Sequence, residues 1–131
     1  MVFNNPEESV ARIQEDVARA EARAKALPLM QEQIAQVRGR AQSRQRDISV
    51  EVDASGQVSG LDISDDALGR GGRAVSREVL DLIKTATIRV REQSLAITTE
   101  LLGADDPIVK LTADQLAADI ENTDQSGDLR W

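Results

Sequence analysis

The chain has 131 residues, enough for one domain with at most an appendage. It contains no Cys and no His, which excludes thiol and Ser-His-Asp catalysis, imidazole or thiolate metal sites and a disulfide framework. Aromatic residues make up only 2% of the chain, too few for a platform that stacks single-stranded bases. The net charge of −7 argues against a strong, general binder of polyanions.

The acidity is concentrated at the carboxyl end. Residues 104–131 contain seven acids and two bases, net −5, whereas the first 103 residues carry 16 acids and 14 bases, net −2. No signal peptide is visible at the amino end, and no apolar run approaches the roughly 20 residues of a membrane span. Together with the absence of Cys, these features lead us to expect a cytoplasmic protein.

The first predicted element is a long amphipathic helix. Pro6 suits its first position, and Glu7 and Glu8 complement the dipole of its amino end. Apolar residues then recur in alternating steps of three and four, typical of a heptad seam: Val10, Ile13, Val17, Ala20, Ala24 and Leu27. Pro28 predicts a kink or break, after which the helical pattern resumes and fades by Arg46. The seam could serve an intramolecular or homodimeric contact, or it could bind a foreign partner.

A hairpin follows. Apolar and polar residues alternate strictly over 48–52, which is typical of a half-buried strand. Residues 53–56 suit a turn in which Gly56 adopts a positive φ. In the second strand, residues 57–64, Val58 and Leu61 differ in parity, so we expect a bulge near Gly60. A lone hairpin is marginally stable, so it must pack on a helix or join a partner's strands.

A second long helix is predicted from about Ala74 to Leu102, after a polar loop over 65–73 and with Gly103 as its stop. One apolar stripe consists of Val75, Val79, Ile83, Ala86, Val90, Ile97 and Leu101. Further apolar residues lie off that stripe: Leu80, Leu82, Ile88, Leu95 and Leu102. A helix with more apolar surface than one face can hide usually has a second partner, so we expect a homodimer.

After a turn that starts at Asp106-Pro107, the capping-box pattern of Thr112 to Gln115 predicts a short helix ending near Asn122. The predicted fold is therefore α+β, with a long helix, a small antiparallel hairpin or sheet, a second long helix and a short carboxyl-terminal helix. Residues 1–103 would form the helix-sheet-helix domain, and residues 104–131 an acidic extension.

The stretch Ile48–Ile63, followed by Asp65-Asp66-Ala67-Leu68, resembles the central signature of the YbaB/EbfC family of nucleoid-associated, DNA-binding proteins. In that family, a strand with alternating apolar and polar residues is followed by a turn that contains Gly. A second strand then ends in a hydrophobic residue followed by an acidic one, and it leads into an Asp-x-x-Leu sequence. The chain has 13 Arg and 3 Lys, and this excess of Arg resembles the composition of family members from the actinobacterial branch. The resemblance covers roughly residues 10–102. It implies a homodimer whose sheets associate, whose helices project as arms and which binds DNA in the nucleoid. The acidic extension is additional to this pattern, and the short strand that can precede the hairpin is not obvious here.

Seven arginines are the candidate DNA-binding residues: Arg38, Arg40, Arg44, Arg46, Arg70, Arg73 and Arg77. In a hairpin, the start of the first strand lies beside the end of the second, which would bring Arg44 and Arg46 near the loop that leads to Arg70 and Arg73. A two-fold axis would double this cationic zone, which could then contact phosphates. The alternative is a solvated helix end and an ordinary polar loop.

Two other patterns predict no chemistry. The glycines of 69–72 could form a phosphate nest, but they lack the Gly-Lys-Ser/Thr ending of a P-loop, and a flexible linker is the better interpretation. Asp65-Asp66 and Asp105-Asp106 lack the remaining ligands of a calcium loop and suit helix caps. We therefore expect neither an enzyme nor a metal or cofactor site.

The sequence thus predicts a dimeric, sequence-tolerant binder of duplex DNA. The alternative is an interaction or adaptor module, for example an accessory of a secretion or regulatory system, that keeps the fold without binding DNA. The acidity and the scarcity of aromatic residues favour the alternative, whereas the arginines and the family resemblance favour DNA binding. The acidic extension could weaken DNA binding, dock as a helix for stability or act only as a solubility appendage.

Overall fold

The computed structural model describes residues 6–125, with side chains as far as Asn122. In this part of the chain, four helices and three strands follow one another: α1 (Pro6–Ala35), β1 (Arg38–Gln42), β2 (Ile48–Asp53), β3 (Val58–Ile63), α2 (Asp65–Leu68), α3 (Gly72–Leu102) and α4 (Pro107–Gln125). The strands form one antiparallel sheet in the order β1-β2-β3. The predicted α+β class, with its two long helices and small sheet, is confirmed.

Strand β1 replaces the end of the predicted first helix. Val37 and Ala41 are four residues apart, a spacing that fits one face of a helix and equally one face of a strand. In the structure Val37, Gly39 and Ala41 are buried, while the arginines between them are exposed, so the period is two. The prediction of helix over 38–42 was therefore wrong, and Arg38 and Arg40 lie on a strand.

The sheet has one covered and one open face. Helix α3 packs across β1 and β2, and the core between them contains Val37, Ala41, Ile48, Val50, Val52, Ala67, Val75, Leu82, Ala86 and Val90. Within residues 6–125, no helix packs across the opposite face, where Arg40, Glu51 and Gly60 lie in one row. Leu82, which was predicted to lie off the main stripe, is part of this core.

Gly39 sets the distance between β1 and α3. A Cβ at this position would lie 2.1 Å from the carbonyl oxygen of Ala86 and 2.7 Å from Cγ2 of Val90. Both distances are far below van der Waals contact, so only glycine lets the strand approach the helix this closely. This close packing holds β1 in the sheet although it has only five residues.

Strand β3 is the other edge of the sheet and contains the predicted bulge. Glu51 pairs with Gly60 and Val52 with Val58, so Ser59 is the extra residue. Gly56 in the preceding turn has the predicted positive φ, +89°. Because α3 covers β1 and β2, the inner face of β3 is open at Val58 and Leu61, which are 46% and 52% exposed, whereas Ile63 packs against the core.

A kink or a break was predicted at Pro28, and the break is wrong because helix α1 is continuous through this residue. Pro28 has no N–H group, so the carbonyl of Ala24 lacks its usual hydrogen-bond donor in the helix. Ala24 is exposed, and water can reach this carbonyl instead. The second half of α1 contacts α3, with Leu27, Met30 and Ile34 partly buried. Residues 10–22 are exposed throughout, and the apolar seam of this part faces solvent.

The segment 65–73, predicted as a polar loop, contains the short helix α2. Ser64 caps it by accepting a hydrogen bond from the Ala67 amide at 3.2 Å, and Ala67 is completely buried. Asp65 and Asp66 lie in its first turn. Helix α3 ends as predicted, with Gly103 at φ +90°.

Helix α4 begins earlier than predicted. The Asp106 carboxylate accepts a hydrogen bond from the Ile108 amide at 2.9 Å and caps a helix whose first residue is Pro107. Val109 and Leu116 are buried, and α4 packs on α3. Residues 126–131, the end of the predicted extension, lie outside the described part of the chain. No helix among residues 6–125 is long and apolar enough to cross a membrane.

Candidate nucleic-acid interface

The turn between β1 and β2 is organised by Ser43. Its hydroxyl is buried, accepts hydrogen bonds from the amides of Asp47 and Ile48 at 3.1 and 3.0 Å, and donates one to Asp47 Oδ1 at 2.6 Å. The Ser43 carbonyl accepts from the Arg46 amide at 2.9 Å. These bonds give a tight turn with one defined conformation, and they orient the two arginines inside it.

Arg46 adopts a left-handed backbone conformation, with φ +60°, the only positive φ of a non-glycine residue within 6–125. This conformation costs a side chain roughly 1–2 kcal/mol, and glycine is normally found there. Arg44 and Arg46 are both exposed, and no ion pair within the described residues engages either of them. The turn therefore presents two uncompensated guanidinium groups, one of them in a strained position.

Arg70 has a different environment. It donates hydrogen bonds to Asp47, to Glu78 at 2.7 Å and to Gln45 at 3.0 Å. The bond from Arg70, together with that from Ser43, holds the pKa of Asp47 below its ordinary value, and the same carboxylates raise the pKa of Arg70. Two carboxylates thus match its charge. Arg70 ties the β1–β2 turn to the start of α3.

The open face of the sheet carries a second polar network. Arg40 pairs with Glu51 at 2.9 Å across β1 and β2, and Ser59 of β3 donates to the other Glu51 oxygen at 2.8 Å. The hydrogen bond from Ser59 is the largest cause that lowers the pKa of Glu51, and the bond from Arg40 is the next. Arg38 donates to the carbonyls of Ala35 and Val37 at 3.1 and 2.8 Å, so it caps the end of α1.

Sequence reasoning missed Arg89. This α3 residue is exposed, and its guanidinium donates to the Arg40 carbonyl at the outer edge of β1, where Gln93 also donates to the Arg38 carbonyl at 3.3 Å. Arg40 and Arg89 are 49 residues apart in sequence. Because no local pattern joins them, only the packing of α3 on β1 could reveal that they lie together.

Several of these arginines line one open cleft of about 770 Å³ that extends across β1, β2 and β3 and reaches the β1–β2 turn and α3. We call it the arginine cleft, defined by Arg40, Arg44, Arg46 and Arg89. The acids that line it are Glu51, which is paired with Arg40, and Asp62. Four cations against two carboxylates give the cleft a net charge of +2, although the whole chain is acidic. Such a surface can attract phosphate groups.

The other two predicted arginines lie elsewhere. Arg73 and Arg77 are exposed on the first two turns of α3, and they do not line the arginine cleft. The seven candidates therefore divide into three in the cleft, Arg38 at the end of α1, Arg70 in the ion-pair network, and these two on α3. No cluster of three or more metal-ligating side chains occurs within the described ranges.

Comparison with known families gives one clear result. The model of the YbaB/EbfC DNA-binding family matches residues 4–105, which include α1, the three strands, α2 and α3. Neither the curated proteins nor the solved structures contain a match to the chain. The family match covers more than three quarters of the 131 residues and ends before α4. The chain therefore belongs to the YbaB/EbfC DNA-binding family.

Proposed function

We propose that the protein is a nucleoid-associated protein that binds duplex DNA by placing the arginine cleft against phosphates, with little preference for sequence. The observation that carries this proposal is the uncompensated charge of Arg44 and Arg46, which line the cleft and make no ion pair within the described residues. The site acts by binding and not by catalysis. Its DNA-binding role follows from the family, whereas the residues involved are our assignment.

Phosphate contacts account for the absence of sequence preference. Guanidinium groups bind phosphate oxygens through paired N–H donors, and phosphates repeat along DNA whatever the bases are. The cleft is formed by a sheet face, a turn and the side of α3, and within residues 6–125 no helix end lines it. The surface therefore suits contacts to the DNA backbone better than direct base recognition.

The proposed functional unit is a homodimer joined at β3. The carbonyls of Arg38 and Arg40 on the β1 edge are occupied by α3 side chains, whereas β3 presents an unpaired edge with Val58 and Leu61 exposed. An exposed apolar edge strand is a site for pairing with another chain. Gly60, Leu61 and Asp62 of β3 also line the cleft, but Arg44 and Arg46 lie in the β1–β2 turn and Arg89 lies at the β1 edge, so a second copy paired with β3 need not cover these three arginines. Light scattering coupled to size exclusion should give twice the monomer mass.

The test of the cleft compares two double variants with the same charge change. Arg44→Glu/Arg46→Glu reverses two cleft arginines that make no ion pair in the described chain, and Arg73→Glu/Arg77→Glu reverses two exposed arginines outside the cleft. At low salt we expect the first variant to lose about ten-fold or more in affinity for duplex DNA. Its salt slope should become shallower by about two for each protomer in contact.

The Arg73/Arg77 variant should lose clearly less affinity. Equal losses would mean that general charge, and not the cleft, determines binding, and the cleft assignment would be wrong. Circular dichroism and light scattering on both variants would show that the fold and the oligomeric state are unchanged.

An adaptor role is the second candidate function. It is favoured by the apolar seam on the first half of α1, where Val10, Ile13 and Val17 are largely exposed. A folded protein that binds no duplex DNA even at about 50 mM salt, where phosphate contacts are strongest, would support the adaptor over the DNA-binding function.

A further inference from the structure

Helix α4, which lies beyond the family match, is attached to both long helices. Two apolar residues, Val109 and Leu116, are buried at its contact, while Ile108, Leu111 and Ile120 of the same helix remain exposed. The helix runs back along α3 from Gly103, so that Leu116 lies in one depression with Val90 and with Ile34 of α1. Its apolar attachment is therefore small for a helix of 19 residues.

Two ion pairs supplement this attachment. Asp106 pairs with Arg23 of α1, 83 residues away, and Asp119 pairs with Arg91 of α3. The Asp106 side chain is only 8% exposed, whereas the arginines are 38% and 50% exposed. Lys84 lines the same depression as Arg91 and Asp119. The carboxylates of α4 and of its capping residue thus pair with cationic groups on two different helices.

We propose that α4 is an acidic clamp that competes with DNA phosphates for Arg23 and Arg91. In the closed state, carboxylate oxygens occupy the positions at the guanidinium groups that phosphate oxygens would take. In the open state α4 leaves α3, and both arginines become additional phosphate contacts. The clamp rests on the proposed DNA-binding function, and it regulates how much cationic surface the protein offers.

Displacement of α4 requires little disruption of the remaining fold. The core between α3 and the sheet contains no residue of α4. Helix ends and segments with few buried apolar contacts are the parts of a protein that open most readily. Both ion pairs contain a partly exposed arginine, so phosphates can approach the pair before it separates.

The test neutralises the clamp without removing it. In Asp106→Asn/Asp119→Asn both ion pairs are lost, but asparagine remains a good helix cap, so the bond to the Ile108 amide can be kept. The matched control is Asp114→Asn/Glu121→Gln, which removes two charges from exposed positions of the same helix that pair with no described arginine. Both variants have the same net charge.

We expect the Asp106/Asp119 variant to bind duplex DNA about five-fold or more tightly than the wild type at low salt, with a salt slope steeper by about two for each protomer. The control should stay within about two-fold of the wild type. An equal gain in both variants would show diffuse repulsion by the acidic helix, and no gain in either would show a purely structural helix. Either result overturns the clamp and leaves the DNA-binding function standing. Absence of binding by all three proteins would overturn both.

Hydrogen exchange on the wild-type protein supplies a second measurement that needs no variant. Bound DNA normally slows amide exchange in the segment that it covers. Displacement of the clamp predicts the opposite for α4, whose amides should exchange faster in the complex while those of the β1–β2 turn exchange more slowly. Unchanged or slower exchange of α4 in the DNA complex would overturn the proposal.

Discussion

Arg46→Gly should make the protein more stable and a weaker DNA binder at the same time. Arg46 has φ +60°, which costs a non-glycine residue roughly 1–2 kcal/mol and costs glycine almost nothing. Glycine loses more backbone entropy on folding, which offsets about 0.5–1 kcal/mol of that gain. We therefore expect a net stabilisation of about 0.5–1 kcal/mol, or an increase in Tm of roughly 2–4 °C.

The matched control is Arg44→Gly, which removes the same charge two residues earlier, where φ is negative. Without strain to relieve, this glycine should destabilise the protein by about 0.5–1 kcal/mol. Both variants should weaken DNA binding and make the salt slope shallower by about 0.9 for each protomer. Thermal melts and salt titrations on both proteins test this. Shifts in Tm of the same sign, or unchanged DNA affinity in Arg46→Gly, would refute the link between strain and phosphate contact.

Three further predictions concern the scaffold of the cleft. Gly39→Ala places a methyl group 2.1 Å from the Ala86 carbonyl oxygen, so urea unfolding should show a destabilisation of about 3 kcal/mol. A loss of stability below about 0.5 kcal/mol would show that β1 can move away from α3. Ser43→Ala leaves the Ile48 amide without its acceptor and should cost about 2 kcal/mol, again measured by urea unfolding; an unchanged midpoint would mean that water replaces the hydroxyl. Asp47→Asn should lower Tm at neutral pH. Because the folded protein holds the pKa of Asp47 below its ordinary value of 3.8, the wild-type advantage exists above that value and is lost as pH falls below it. A difference in Tm that stays constant from pH 7 to pH 2.5 would contradict this assignment.

Periodicity was sufficient to predict the two long helices and the hairpin, because each repeats one spacing over enough residues. It failed at β1, where Val37 and Ala41 satisfy both a helix and a strand. The contact of Gly39 with Ala86 decides between them, and that contact joins residues 47 positions apart. The start of α4 was not predicted, because Thr112 to Gln115 also matches a capping box, whereas Asp106 forms the actual cap.

The candidate site was predicted in part. The geometry of a hairpin was enough to bring the turn containing Arg44 and Arg46 toward Arg70, and the bond from Arg70 to Gln45 shows this proximity. The role of Arg70 could not be predicted, because its partners Asp47 and Glu78 come from two different elements. The position of Arg89 in the cleft likewise could not be predicted, because it depends on the packing of α3 on β1. Homodimerisation stays a prediction.

Under the proposed function, the division of roles among the arginines explains how an acidic protein binds DNA. Arg70 forms ion pairs with two carboxylates and holds the β1–β2 turn, and Arg38 caps the end of α1. Arg44 and Arg46 make no ion pair within the described residues and can contact phosphates. The acidity of the chain is concentrated in and around α4, away from the cleft in sequence. Net charge alone therefore describes this surface poorly, since short-range contacts are made by the local cations.

The most direct test of the central claim is the affinity of the wild-type protein for two duplexes of unrelated sequence, measured between about 50 and 200 mM salt. If a dimer neutralises roughly 4–6 phosphates, log affinity should fall with log salt at a slope of about −4 to −5, with the same slope and similar affinities for both duplexes. A slope near zero, or a preference of about 100-fold for one sequence, would contradict binding through arginine–phosphate contacts.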